Sequence, residues 1–122
     1  MFQEKEVDFE AAFERVEGDL DLYFELADLF IQSCSEQLSQ IRAALANGAA
    51  STLRDIAHSL KSASGNVGAM EVFRLAFEIE KAAAAGALSD AAVLIEPLEL
   101  ATQKYCKAVT KLKAGRRLPH PG

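Results

Sequence analysis

Apolar residues recur at three- and four-residue spacing along almost the whole chain. No useful stretch alternates apolar and polar with the period of two that a half-buried strand requires. A chain patterned this way hides its apolar surface by packing helix against helix. Glycine and proline mark the joints: Gly18, Gly48, Gly65 with Gly68, Gly86, Pro97, then Gly115, Pro119, Pro121 and Gly122. Alanine supplies much of the apolar content, and alanine suits close-packed helices better than sheets. The length of 122 residues holds one domain with one core.

Asp8 can cap a short first helix with Phe9, Phe13 and Val16 on one stripe, stopped by Gly18. A long helix is predicted over Leu20–Ala46, with Tyr23, Ala27, Phe30, Cys34, Leu38, Ile41 and Leu45 as its seam. Asp19, Asp21 and Glu25 suit its positive N-terminus, and Asn47-Gly48 closes it. A third helix begins near Ala50 to Thr52, with Ser51 or Thr52 as cap, and ends around Asn66 to Gly68. A fourth runs from Ala69 to Ala84 with Val72, Leu75, Ala76, Ile79 and Ala83 inward, stopped by Gly86. Ser89 reads as the cap of the last helix, whose stripe is Leu94, Leu98, Ala101, Tyr105, Val109 and Leu112. Pro97 requires either a kink there or a restart with Pro97 in the first turn. Short connections force antiparallel neighbours. The expected architecture is therefore all-α, an antiparallel up-down-up-down four-helix bundle over residues 1–115 with a short N-terminal capping helix. Residues 116–122 read as a loose tail, and His120 within it is given no role.

A net charge of -5 argues against general nucleic-acid binding and against anionic membranes, and leaves protein partners open. No apolar run reaches the ~20 residues of a membrane span. The charged start, Met1-Phe2-Gln3-Glu4-Lys5-Glu6, carries no signal-peptide pattern. A cytoplasmic monomer is expected. Cys34 and Cys106 read as free buried thiols. Glu4, Glu6, Asp8, Glu10, Glu14 and Glu17 read as a solvated acidic face, and no metal site is expected. There is no P-loop, nucleotide-binding glycine fingerprint or zinc spacing. Phe9, Phe13, Phe24, Phe30, Phe73 and Phe77 read as core, some of them available as an apolar rim near the third helix.

The third helix carries the chemistry. At about 100° per residue, Leu53, Ile56, Ala57, Leu60, Ala63, Ser64 and Val67 fall in one sector, and His58 projects roughly 160° from its middle. Its helical neighbours are Ser51, Arg54, Asp55, Lys61, Ser62 and Gly65. A neutral imidazole with one free nitrogen is a nucleophile. A carboxylate bonded to Nδ1–H would fix the tautomer and turn Nε2 outward. A cation nearby would steady a phosphoryl group. Lys61, one turn on and expected to be exposed, reaches that position, while the small Ser62 and Gly65 let a partner approach. By itself this pairing also fits an ordinary solvated helix face.

The run Ala57-His58-Ser59-Leu60-Lys61-Ser62-Ala63-Ser64-Gly65-Asn66-Val67-Gly68-Ala69 closely resembles the signature of histidine-containing phosphotransfer domains, the intermediates of multistep phosphorelays. The resemblance extends back through Gly18-Asp19-Leu20 and Glu25-Leu26-Ala27-Asp28-Leu29-Phe30, and forward to Phe77-Glu78-Ile79-Glu80. It implies that His58 is the phosphorylated histidine, that Lys61 steadies the phosphoryl group, and that Glu80 on the next helix bonds to the imidazole Nδ1. Gly68 matches the glycine of the turn between those helices. Ser62 stands where many members carry glycine, and Pro97 departs from the pattern in the last helix.

The implied activity is that of a carrier. A response-regulator receiver domain, or a receiver of a hybrid histidine kinase, passes its aspartyl phosphate to His58, and another receiver takes it on. Arg54, Asp55, Ser62 and Gly65 are the expected partner contacts. No cofactor of the chain's own is expected, and Mg²⁺ would come with the receiver. Two alternatives stand beside this: the phospho-accepting domain of a chemotaxis-type histidine kinase, and a helical docking module without phosphoryl chemistry.

Overall fold

A computed structural model describes residues 6–117. Its six helices are α1 (Phe9–Arg15), α2 (Leu20–Ala46), α3 (Ala50–Asn66), α4 (Met70–Ala84), α5 (Leu88–Ala92) and α6 (Ile95–Arg117). The four long ones, α2, α3, α4 and α6, form the antiparallel bundle, with α1 over one end. No strand occurs among the described residues.

Local chemistry explains most of the boundaries. The Asp8 carboxylate accepts from the Ala11 amide at 3.2 Å and starts α1. Asp19 does the same for α2 through the Leu22 amide at 3.0 Å. The seam of α2 is buried as the spacing requires, except that Ala44 takes the fully buried place expected of Leu45, which packs half-buried beside it. In α4 the inward residues are Val72, Leu75, Ala76, Ile79 and Ala83.

Three expectations are corrected. Neither Ser51 nor Thr52 caps α3: the cap position is Ala49, with no side-chain bond. Ser89 lies inside the short α5, whose cap position is Ala87. The last helical segment is thus two helices, and α6 restarts at Ile95 with Pro97 in its first turn. There the missing N–H is one that would have no intrahelical acceptor anyway. Finally, α6 continues through Arg117, so residues 116 and 117 belong to the helix. The rest of the expected tail, His120 included, lies outside the described residues.

The core contains a polar knot. The hydroxyls of Tyr23 on α2 and Tyr105 on α6 are 2.7 Å apart. Both lie within hydrogen-bond reach of the carbonyl of Val67, just past α3, at 2.8 and 3.2 Å, and their two protons serve this carbonyl and the bond between the hydroxyls. Burial pushes the Tyr23 phenol up to about 12 and raises that of Tyr105 as well, so both stay neutral donors. The fully buried Ser64 is satisfied by donating to the Lys61 carbonyl at 2.9 Å. Phe30 and Phe13 pack edge-on against Tyr105 and Tyr23, with ring centroids 5.4 and 5.2 Å apart. The knot ties the C-terminal end of α3 to α2 and α6.

The turn after α3 holds the N-terminal segment. The Asp8 amide donates to the Gly68 carbonyl at 2.8 Å, and the Glu71 amide to the Glu6 carbonyl at 3.1 Å. Cys34 is buried, which pushes its thiol up to about 12, while Cys106 is only half-buried. Both are free. Among the described residues no helix is long and apolar enough to cross a membrane.

Candidate functional site

His58 stands on the outward face of α3, where its side chain keeps 60% of its exposure. Its underlying residues, Leu53, Ala57, Leu60 and Ser64, are buried. α3 packs most extensively on α4, and that packing brings Glu80 opposite the imidazole. Glu80 Oε2 lies 2.8 Å from His58 Nδ1, and Oε1 lies 2.9 Å from Lys61 Nζ. One carboxylate therefore holds both residues. A carboxylate can only accept, so Nδ1 carries a proton, and in the neutral ring Nε2 then presents its lone pair. No described residue bonds to Nε2.

The Lys61 hydrogen bond, foremost, and the His58 hydrogen bond hold the Glu80 carboxyl below its ordinary range, against the opposing effect of burial. The sign for stability follows. The unfolded carboxyl titrates near about 4.3, and a lower folded value contributes stability that is fully present above that pH. It is lost as pH falls through the lowered value. Thermal melts from pH 6 to pH 3 should show this part of the acid destabilisation vanish in Glu80→Gln. An unchanged pH profile in that variant would break the assignment.

Lys61 needs correction. Its side chain is only 21% exposed, because it lies between Glu80 and the ring of Phe77. Phe77 in turn is no core residue: it is 40% exposed. Lys61 Nζ sits 4.8 Å and Lys81 Nζ 4.7 Å from its ring centroid, and Lys81 is also paired with Glu78 at 3.1 Å.

The remaining expected contacts separate. Arg54 and Asp55 are exposed one turn before His58 and approach each other at 3.4 Å. Ser62 is exposed one turn after His58, on its other side. Gly65 is small for a packing reason. A Cβ there would meet Phe73 of α4 at 3.2 Å, and its carbonyl accepts from the Arg15 guanidinium. Sequence reading missed an apolar strip on α2, where Leu22, Leu26 and Leu29 are exposed. Leu26 and Leu29 line a groove of about 560 Å³ whose α3 wall is Ala63 and Asn66. The signal was present: these leucines repeat at helical spacing beside the buried seam. The described residues contain no group of three or more side chains suited to a metal.

An exposed imidazole, tied through Nδ1 and free at Nε2, is the arrangement the sequence resemblance implied. The model of the Hpt domain family matches residues 25–114. The chain belongs to the Hpt domain family. It is similar to histidine-containing phosphotransfer protein B (HptB) from Pseudomonas aeruginosa PAO1, at 30% identity over 96% of this chain and 100% of that one, with a TM-score of 0.84. It also shares the fold of the Hpt domain from the Hpt sensor hybrid histidine kinase from Shewanella. That match has 23% identity, covers 89% of this chain and 94% of that one, and has a TM-score of 0.75. No curated protein matches the chain. This Hpt domain is a histidine phosphotransfer intermediate of a two-component phosphorelay, a family that works with receiver domains. The docking module without phosphoryl chemistry gives way to that assignment.

Proposed function

We propose that His58 is the phosphoryl acceptor, Lys61 the cation that steadies the phosphoryl oxygens, and Glu80 the positioning residue that orients the imidazole. The observation that carries this is the pairing of an exposed ring with a carboxylate at its Nδ1. In the forward step the lone pair of Nε2 attacks the phosphorus of a receiver's aspartyl phosphate in line. The P–Nε2 bond forms, the acyl P–O bond breaks, and its electron pair leaves with the receiver's carboxylate. Nε2 carries no proton in this tautomer, so none need depart. The positive charge that develops on the ring faces Glu80. A second receiver's aspartate reverses the chemistry.

Mg²⁺ belongs to the receiver on this reading. The groups around His58 are an ammonium and one carboxylate already bonded to two partners, a poor donor set for a hard cation. The receiver approaches over Arg54, Asp55 and Ser62, with the apolar α2 strip, which faces Ala63 and Asn66 near the C-terminal end of α3, as its resting surface. The domain works as a monomer in the cytoplasm, and a receiver of a response regulator or of a hybrid kinase serves as its donor. The test is incubation with phosphorylated receivers. An adduct of one phosphoryl mass, acid-labile and base-stable, should map to His58. Failure with several competent receivers would overturn the reading.

Two variants probe the supporting residues. Glu80→Ala releases Nδ1, so the two neutral tautomers of His58 should exchange and average the ¹⁵N shifts of the ring. Transfer should slow about tenfold, equivalent to about 1.4 kcal/mol of barrier. Separate, unaveraged ring shifts would remove Glu80 from its role. Lys61→Ala should slow transfer by a similar factor of about ten. It should also destabilise the fold by about 1 kcal/mol, more than an exposed lysine would, because its pairing is half-buried. A wild-type transfer rate would exclude Lys61.

A further inference from the structure

The Lys61 ammonium is already engaged in the unphosphorylated domain. Its ammonium is bonded to Glu80 Oε1 at 2.9 Å and lies 4.8 Å from the centroid of the Phe77 ring. The ring of Phe77 is 40% exposed and is not part of the buried core. It lies one turn before Glu80 on α4, so the carboxylate and the ring form two sides of one seat for the same cation. A second ammonium, that of Lys81, approaches the ring at 4.7 Å, and its own carboxylate, Glu78, offsets the repulsion between the two.

We propose that Phe77 is a positioning residue for phosphoryl transfer: its ring holds the Lys61 ammonium at Glu80 in the unphosphorylated domain and so resists the movement of that cation to the phosphoryl group. The inference rests on the assignment of His58 and Lys61 above. The ring stabilises the resting arrangement, and that contact is given up when Lys61 turns to the phosphoryl oxygens. Removing the ring therefore favours the phosphorylated state. A cation–π contact at a partly exposed site corresponds to a shift of about two- to fivefold in that equilibrium.

The experiment uses phosphoramidate as donor at a fixed ammonia concentration, so that no receiver surface enters the result. The donor's P–N bond breaks, ammonia leaves, and the Nε2 lone pair forms the new bond to phosphorus. The fraction of phospho-His58 at equilibrium is measured by intact mass for wild type, Phe77→Leu, Phe77→Tyr, Lys61→Ala and the double variant Phe77→Leu/Lys61→Ala. Phe77→Leu should raise the ratio of phosphorylated to free domain about two- to fivefold, and Phe77→Tyr, which keeps a ring, should match wild type. In the Lys61→Ala background Phe77→Leu should add nothing, since the cation it holds is absent. In the wild type the Lys61 ε-protons should be shifted upfield by the ring, and the shift should disappear on phosphorylation. An unchanged or lowered ratio in Phe77→Leu, or the same gain without Lys61, overturns the proposal. Absence of any phospho-His58 in the wild type, or a Lys61→Ala ratio equal to wild type, would instead overturn the underlying site assignment.

Discussion

His58→Gln should abolish phosphoryl acceptance while leaving the fold intact. Glutamine keeps a helix-compatible side chain of similar reach, and its amide can still donate to Glu80, but an amide nitrogen has no lone pair free to attack phosphorus. Labelling from a phosphorylated receiver should fall by at least about a thousandfold, to background, which is more than about 4 kcal/mol of barrier. The ring is exposed and makes its one bond at the surface, so the melting transition should move by no more than about 0.5 kcal/mol in stability. The chain has two histidines. Retained label in His58→Gln would therefore place the acceptor at His120 or on another residue type, and peptide mapping would show which.

The largest effect on stability should come from Gly68→Ala, ten residues away. Gly68 has a φ of +77°, a region L-residues rarely occupy. A Cβ there would collide with the Asp8 carbonyl and press to within 3.3 Å of the Ala12 side chain. The collision is with backbone, which cannot rotate aside as the end of a side chain can. The same contact carries the hydrogen bond from the Asp8 amide to the Gly68 carbonyl. The variant must shift α1 off the α3–α4 turn or strain the turn, at a cost of about 3 kcal/mol or more. Gly86→Ala is the control: its φ of +72° is similar, but nothing lies within 4 Å of the added carbon. It should lose only about 1 kcal/mol. Equal losses in urea melts of the two variants would mean that the conformation of Gly68, rather than its contact with the N-terminal segment, is what matters.

The helices were legible where burial alone decides. The boundaries of α2 and the inward face of α4 follow from spacing, because a side chain's direction on a helix is set by its number. Caps were less legible. Asp8 and Asp19 do bond to the first turn, yet Ser51, Thr52 and Ser89 lie inside helices that begin at alanine caps. A helix starts where packing lets the chain turn, and here the cap position falls two or three residues before the side chains that could have capped it. Pro97 announced a break, and the break fell two residues before it, where α6 restarts. The leucine strip of α2 was overlooked because the same residue type also fills cores, and only the placement of α1 and α3 leaves it uncovered.

The site divides along the same line. The order of residues within one helix set His58 opposite its own apolar face and Lys61 a turn beyond it, since both depend on the 100° step of a single backbone. Glu80 lies 22 residues away, and no periodicity within α3 or α4 fixes its distance from the imidazole. The crossing and rotation of α4 against α3 did that. They joined ring and ammonium through one carboxylate, drew Lys61 partly out of the solvent, and left Phe77 partly in it. These are relations between helices, settled by which side chains fill the space between two cylinders, and such packing is a property of the assembled bundle rather than of any one segment.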